Sequence, residues 1–260
     1  MARQIALFLT AVQFLTRIPV PSVAGFQPDW TARSARYFPL VGALVGLTCG
    51  AVFVAASLIL SGWIAALAAT TAGILITGAF HEDGLADTAD GLGGGQTPTR
   101  RLEIMKDSRV GTFGALALIL AILAKVGALA AMAPPSTSIP LAVMALIGAH
   151  AGGRGVAVLL MRLTPYAGDR DWTKVKPVAD GATWAEVAVA LSIAALALSP
   201  VLIMSPFAAL GGVAGGAAGA AVVAASARRL IGGWVGDTLG AAEQAFEIGF
   251  LLVMAGLLTR

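Results

Sequence analysis

Apolar residues in this chain come in long uninterrupted runs. They show neither the alternation of a half-buried strand nor the narrow stripe of a soluble amphipathic helix. A helix needs about 20 such residues to cross the hydrocarbon core of a bilayer. Six runs are long enough: 38–60, 62–80, 112–133, 140–161, 184–204 and 206–227. A seventh, 240–258, is interrupted by Glu243 and Glu247 in its first two turns. The first twenty residues carry Arg3, Gln4, Gln13 and Arg17 and end in Ile18-Pro19-Val20-Pro21, a pattern that suits an interfacial or partly inserted helix. No small-residue cleavage site follows it, so this segment is expected to be retained. The pattern predicts an all-α, polytopic transmembrane helical bundle of about seven spans plus the N-terminal helix, forming one integral membrane domain over residues 1–260.

Composition agrees: 58% of residues are hydrophobic and 12% charged, with a mean hydropathy of +0.86. A water-soluble globule of 260 residues has nowhere to hide so much apolar surface. The net charge of +3 is too small to suggest nucleic acid as a partner. Its distribution is more telling. The short connections at 61–62, 133–139 and 205–206 are uncharged, whereas residues 1–37, 81–111, 162–183 and 228–239 hold four, four, four and two Lys/Arg. Seven spans put all four basic connections on one side, and the positive-inside rule makes that side cytoplasmic. The lone Cys49 sits in an apolar run and supports neither a disulfide framework nor a cysteine metal site.

Chemistry concentrates where the second run ends, in His81-Glu82-Asp83-Gly84-Leu85-Ala86-Asp87-Thr88-Ala89-Asp90-Gly91. If the helix continues outward, Asp83, Asp87 and Asp90 fall at i, i+4 and i+7, within roughly 60° on one face. Three stacked carboxylates repel one another. A hard divalent cation relieves that conflict, and carboxylate oxygens are what Mg²⁺ selects. A solvated acidic turn is the plainer alternative, but the single-face spacing and the apolar Leu85 and Ala86 argue against it. The glycines of 91–95 can cap the helix or approach a phosphate, and a simple linker explains them equally well. The segment 100–111 adds Arg100, Arg101, Lys106 and Arg109 to neutralise phosphate and Asp107 as a further ligand, although such basic loops commonly serve topology alone.

Isolated charges elsewhere carry less weight. Arg154, two turns inside its span, and His150, one turn deeper, call for a partner or a cavity. Lys125 lies deeper still, where snorkelling toward the far interface competes with any role in a site. Asp237 and Glu247 stand at the same cytoplasmic border as the acidic segment. Glu243 and Glu247, four residues apart, repel unless a cation or bases intervene. The run Gly211-Gly212-Val213-Ala214-Gly215-Gly216-Ala217-Ala218-Gly219 offers small-xxx-small spacings for close helix packing inside one subunit, and a homo-oligomer contact stays open.

The block His81–Gly91, followed by Arg101-Leu102-Glu103-Ile104-Met105-Lys106-Asp107-Ser108-Arg109-Val110-Gly111-Thr112, resembles the cobalamin synthase (adenosylcobinamide-GDP ribazoletransferase) family. The resemblance extends to Phe14–Pro21, Tyr37–Gly42, Gly236–Ala242 and Glu247, nearly the whole chain in order. It departs after Tyr166-Ala167, where similar proteins often carry Arg and this chain has Gly168-Asp169-Arg170-Asp171. Similar proteins also commonly have an apolar residue at Glu82, which ranks it below Asp83 as a ligand.

The resemblance implies a Mg²⁺-dependent transferase in a bacterial or archaeal cytoplasmic membrane, with its active site facing the cytoplasm. Its substrates would be adenosylcobinamide-GDP and α-ribazole 5′-phosphate (or α-ribazole), and its products adenosylcobalamin 5′-phosphate (or adenosylcobalamin) and GMP. On that reading Asp83, Asp87 and Asp107 hold metal and Asp90 accepts the hydroxyl proton. His81, Lys106, Arg109, Arg154, Asp237, Glu247 and Arg33 contact substrate. The division among the four aspartates stays open.

Two other classes compete. CDP-alcohol or polyprenyl-type membrane transferases also set Asp-rich helices against Mg²⁺-diphosphate, but Asp87 stands where the CDP-alcohol pattern has Arg, and Asp90 comes too soon. Secondary transporters keep their charges near the midplane, whereas these acids gather at the edge. The charge asymmetry also generates a test of orientation. In sealed cells, Thr97→Cys should resist a membrane-impermeant thiol reagent and react after permeabilisation. Efficient labelling from outside overturns the orientation.

Overall fold

The computed structural model describes residues 2–21, 27, 29–133, 139–168 and 181–259. The connection 169–180, with Arg170, therefore lies outside the described residues. The chain opens with α1 (Ala2–Leu15) and α2 (Trp30–Ser34), and a 3₁₀ turn at Ala35–Tyr37 leads into α3 (Phe38–Ser57). Next come α4 (Gly62–Thr77), α5 (Phe80–Gly94), α6 (Pro98–Met105), α7 (Thr112–Ala131) and α8 (Ile139–Leu163). The last three are α9 (Trp184–Met204), α10 (Pro206–Ile231) and α11 (Gly236–Leu258). Trp30–Ser57, α7, α8, α9, α10 and α11 are each long and apolar enough to cross a membrane, and α4 with α5 makes a seventh, broken candidate. The all-α polytopic bundle expected from the apolar runs is what the chain forms.

One expectation needs correction. The second apolar run does not continue outward into the acidic segment as a single helix. It stops at Thr77, and α5 leaves at 90° to α4. Gly78 (φ 67°) and Ala79 (φ 60°) both adopt the left-handed conformation. Their N–H groups bond back to Leu75 (3.3 Å) and Ile74 (2.9 Å), as at a helix C-terminus. Glycine accepts that conformation freely; alanine does so at about 1–2 kcal/mol. The N-terminal segment holds the elbow: the Arg17 N–H donates to the Ile76 carbonyl (2.8 Å), and the Arg17 side chain packs against Gly78. The bend lays the acidic helix across the bundle.

Glycines set how closely the spans approach. Gly42, Gly46 and Gly50, at four-residue intervals on α3, lie against the backbone and side chains of α8. A methyl at Gly46 would stand 2.6 Å from the Leu146 carbonyl oxygen. The glycine run of α10 packs on α11, with Gly212 and Gly216 against Phe250 and Phe246 and Gly219 against Ala245. That stripe serves packing within the subunit, as its spacing suggested. Without a hydrophobic driving force inside lipid, such close approach supplies much of the helix association.

Gly46→Ala should therefore cost about 1–3 kcal/mol of stability by overpacking. Gly127, on α7 with nothing within 4 Å of its Cβ position, is the matched control. Gly127→Ala should leave thermal unfolding in detergent unchanged or raise its midpoint. Equal behaviour of the two variants would refute the close-packing role of the α3–α8 glycines.

Candidate active site

The site begins at the elbow. The turn between α4 and α5 brings His81 and Glu82 to the bundle centre and carries Asp83 and Asp87 along the edge. α5 crosses the start of α11 at two glycines: a Cβ at Gly84 would lie 2.8 Å from the Asp237 carbonyl oxygen, and one at Gly240 would lie 3.4 Å from the His81 backbone. The acidic helix and the first turn of α11 thus meet backbone to backbone. Asp237, Asp83 and Asp90 all act on Asp87 as like charges. Asp83 is exposed, and Asp87 and Asp237 are half-buried. Among the described residues no ion pair engages any of these three carboxylates.

Asp90 sits differently, although it shares their face. It is buried, and its two carboxylate oxygens accept the N–H groups of Gly111 (2.7 Å) and Gly114 (2.9 Å) at the start of α7. A carboxylate at a helix N-terminus satisfies orphan donors and meets the positive end of the dipole. Neither glycine leaves room for a Cβ beside that carboxylate. Asp90 ties α5 to α7.

The 106–111 segment stays at the surface. Arg109, 87% exposed, grips Asp107 through Nε (3.0 and 3.1 Å) and Nη2 (2.6 Å). Those hydrogen bonds hold the Asp107 carboxyl down at about 2. Asp107 is not gathered with Asp83 and Asp87 here, because its oxygens are taken by its own loop. Lys106, at the end of α6, is exposed. Arg33, on α2, pairs with Asp29 at the surface, away from the acids. Arg36 pairs instead with the buried Glu186 and fastens the segment before α3 to the start of α9.

The deeper charges form one buried network. Lys125 Nζ lies 2.6 Å from Glu247 Oε2. His150 Nδ1 also meets the Glu247 carboxylate. Arg154 Nη1 reaches Glu243 (2.5 Å), Glu247 (3.2 Å) and the His150 carbonyl oxygen (3.0 Å), while its Nη2 lies 3.4 Å from His81 Nδ1. Gln244 links Glu243 (3.0 Å) to Glu82 (3.2 Å). Arg154, Glu243 and Glu247 are each 2% exposed or less. Lys125 therefore does not snorkel: it turns inward, because Glu247 offers a carboxylate at a depth where bare charge is prohibitive. The repulsion between Glu243 and Glu247 is relieved by bases on α7 and α8. His150, Glu243 and Glu247 are close enough to ligate a metal, their ligand atoms lying within 4.8 Å of one another. Both carboxylates already hold Lys125 and Arg154, so a dication there would have to displace them.

A cavity of about 20 Å³ lies beside the network, with His81, Glu82, Lys125, His150, Arg154 and Glu247 in its wall. That is room for a water molecule. Across His81 and Arg154 lies a second, larger chamber of about 70 Å³. Its wall is mostly aromatic and aliphatic: Phe14, Phe38, Phe80, Met161, Trp234 and Leu239. Tyr166-Ala167 bears on it directly. Ala167 N–H donates to the Trp234 carbonyl (2.9 Å), and the Tyr166 ring meets the Trp234 ring edge-on at 4.9 Å.

Sequence reasoning named His81, Arg154 and Glu247 as site residues without seeing that one network joins them. It asked a partner or a cavity for His150, weighed Lys125 against snorkelling, and missed the chamber altogether. The apolar walls come from separate elements, and no local spacing announces them.

Comparison with known proteins gives the family. The family model for cobalamin-5-phosphate synthase matches residues 7–255. The chain is 44% identical over 255 residues to the adenosylcobinamide-GDP ribazoletransferase of Shewanella frigidimarina, covering 97% of this chain and 95% of the relative. It is 44% identical over 252 residues to that of Leptothrix cholodnii (95% and 93%) and 41% over 256 residues to that of Vibrio cholerae (98% and 95%). No solved structure matches. A match over nearly the full length, with the acidic helix, the elbow and the charged core all inside it, places the chain in the cobalamin-5-phosphate synthase family.

Proposed function

We propose that this chain is a Mg²⁺-dependent transferase acting on adenosylcobinamide-GDP and α-ribazole 5′-phosphate (or α-ribazole). Its products would be adenosylcobalamin 5′-phosphate (or adenosylcobalamin) and GMP. One observation carries the reading: among the described residues the acids at the α5–α11 crossing have no basic partner, while every acid of the buried core has a hydrogen-bonding or ionic one. An uncompensated set of carboxylates at a membrane edge suits a ligand that brings cations and phosphate together.

The residues fit such an ion. Asp83, Asp87 and Asp237 offer hard oxygen donors from two crossing helices. They need not form a closed cage, because Mg²⁺ keeps several waters and shares its shell with substrate phosphates. Bound there, Mg²⁺ would neutralise the diphosphate and the charge that develops on departing GMP.

In the reaction a ribose hydroxyl of α-ribazole attacks the phosphorus attached to cobinamide. A new P–O bond forms, the anhydride bond to the GMP phosphate breaks, and the hydroxyl proton passes to a carboxylate. Asp90 was the acceptor expected from spacing. Its burial and its two backbone donors give it an anchoring role, so the proton passes to one of the edge carboxylates while the other two share the ion. Arg109 and Lys106 lie on the exposed segment after α6, where a phosphate can draw Arg109 from Asp107 by offering the same bidentate geometry. Arg154 holds His81 at the mouth of the site and is itself held by Glu243 and Glu247. The active site faces the cytoplasm on this reading, and the bilayer is the protein's solvent. Oligomerisation is not needed for any step.

Asp83→Asn and Asp87→Asn should each abolish GMP release from adenosylcobinamide-GDP while the purified protein stays monodisperse. Glu82→Gln should be milder, since Glu82 faces Gln244 and the core. Wild-type turnover by Asp83→Asn at ordinary Mg²⁺ removes the centre of the mechanism, and release of CMP from a CDP-alcohol substrate would favour the other transferase class. Arg109→Ala should slow GMP release per mole of folded protein roughly 10²-fold, as lost transition-state donors do. Lysine there should restore part of the rate, because it keeps the charge and loses the fork. Unchanged turnover in Arg109→Ala would confine that residue to topology.

A further inference from the structure

The aromatic chamber plays no part in the chemistry so far assigned, yet near neighbours of the acids in sequence line it. Its rim includes Gly236 and Gly240, which flank Asp237 in sequence, and His81, two residues before Asp83. Its interior is apolar apart from two side chains. His81 and Arg154 form the wall it shares with the ion network. Arg154 is 2% exposed, and its Nε has no hydrogen-bond partner among the described residues. An unsatisfied donor on a buried guanidinium is costly, and a ligand acceptor would remove that cost.

The walls favour a flat ring. Phe14 stacks on Phe38 (centroids 5.6 Å apart, planes 12° apart) and meets Phe80 edge-on at 5.3 Å. Phe80 in turn meets the His81 ring edge-on at 5.3 Å. Phe80 is 44% exposed, so rotation of its ring can widen the chamber from the open side. Among the flat groups of the two substrates, guanine and the adenine of the adenosyl ligand each bring several edge donors and acceptors, and an apolar chamber with two polar side chains would leave most of them unpaired. A benzimidazole with two methyl groups brings apolar edges and one unsubstituted ring nitrogen, an acceptor. At about 70 Å³ the chamber is smaller than any of these rings, so a base enters only as Phe80 turns outward, and the corrin, several times larger again, does not enter.

We propose that this chamber seats the benzimidazole of the α-ribazole substrate, with Arg154 Nε donating to its free ring nitrogen and the ribose emerging among Asp83, Asp87 and Asp237. The assignment rests on the function proposed above and deepens it. It gives the aromatic residues Phe14, Phe38, Phe80 and Trp234 the task of selecting the base. It also explains why the Tyr166-Ala167 segment is bonded to Trp234: that contact fixes one wall.

Ala157, a small residue in the wall, allows a direct test. Ala157→Phe fills the chamber without touching a carboxylate. With full-length protein in detergent, its KM for α-ribazole 5′-phosphate should rise at least about tenfold, while its KM for adenosylcobinamide-GDP stays within about twofold. The ribotide of unsubstituted benzimidazole, lacking both methyl groups, should lose less than the dimethyl substrate does. An unchanged KM for the ribotide, or an equal rise for both substrates, overturns the assignment. If Ala157→Phe does not fold, Phe80→Ala, at a side chain nearly half exposed, carries the same two-substrate comparison.

Binding of free 5,6-dimethylbenzimidazole separates this idea from the reading beneath it. Saturable quenching of tryptophan fluorescence in the wild type, lost in Trp234→Phe and in Ala157→Phe, supports the chamber even if no GMP is released. GMP release without such quenching, and without the KM shift, leaves the function standing and removes the chamber.

Discussion

Glu247 is the residue on which the interior depends. It lies eleven residues into α11, about 16 Å along a helix rising 1.5 Å per residue, and is only 1% exposed. A lone carboxylate there would be prohibitive. Three bases make it tenable: Lys125 from α7, and His150 and Arg154 from α8. Each base is equally stranded without the acids, so the four helices that carry the network must come together or not at all. Removing one member of such a network leaves its partner buried and uncompensated, which costs more than the contact itself contributes. The network therefore specifies which helices pack and in what register, while lipid-facing Leu, Ile and Val do not distinguish one neighbour from another.

Close packing is what permits charges to meet at that depth. Gly153 lets Glu243 lie against α8 beside Arg154, with a Cβ there only 3.0 Å from the Glu243 carbonyl oxygen. Gly152 accommodates Phe246, one turn along the same α11 face. At the edge, Gly84 and Gly240 bring α5 onto α11, and Gly114 admits the Asp90 carboxylate. Small residues and buried ions are usually treated as separate motifs in membrane helices; here each makes the other possible. A guanidinium can serve two glutamates and a histidine only where the backbones are already close.

The sequence was informative wherever the signal is local. Runs of about 20 apolar residues marked the spans, and the Lys/Arg imbalance ordered the connections. The eight-residue stretch from Asp83 to Asp90 displays its carboxylates in the sequence itself. The elbow was hidden, because Gly78-Ala79 is an ordinary pair inside an apolar run and its left-handed backbone is imposed by packing against Arg17. The shared spacing of the aspartates also misled in one respect. It put Asp90 with Asp83 and Asp87, and only the position of α7 shows that Asp90 anchors a helix terminus. The core network joins residues 73, 89 and 122 positions apart, so snorkelling competed with a site role for Lys125, and the partner that His150 called for could not be named. The aromatic chamber draws on α1, α3, α5, α8 and α11 and was invisible for the same reason.

Compensation in the interior and its lack at the edge belong to one design. Because Glu243 and Glu247 are neutralised by Arg154 and Lys125, the bases of the core are not available to the edge acids, and among the described residues no base offsets Asp83, Asp87 and Asp237. His81 stands between the two regions, bonded to Arg154 on one side and two residues from Asp83 on the other. The 90° elbow makes this possible, because a straight helix would have carried His81 and Asp83 away from the bundle together. With the turn, the histidine is driven into the core and the aspartates are spread along its rim. Lining the space beside them with Phe14, Phe38, Phe80 and Trp234 then gives one site two solvents, an apolar wall and an ionic edge, within a few residues of each other. A membrane offers that boundary at every helix end, and the elbow builds it into the protein.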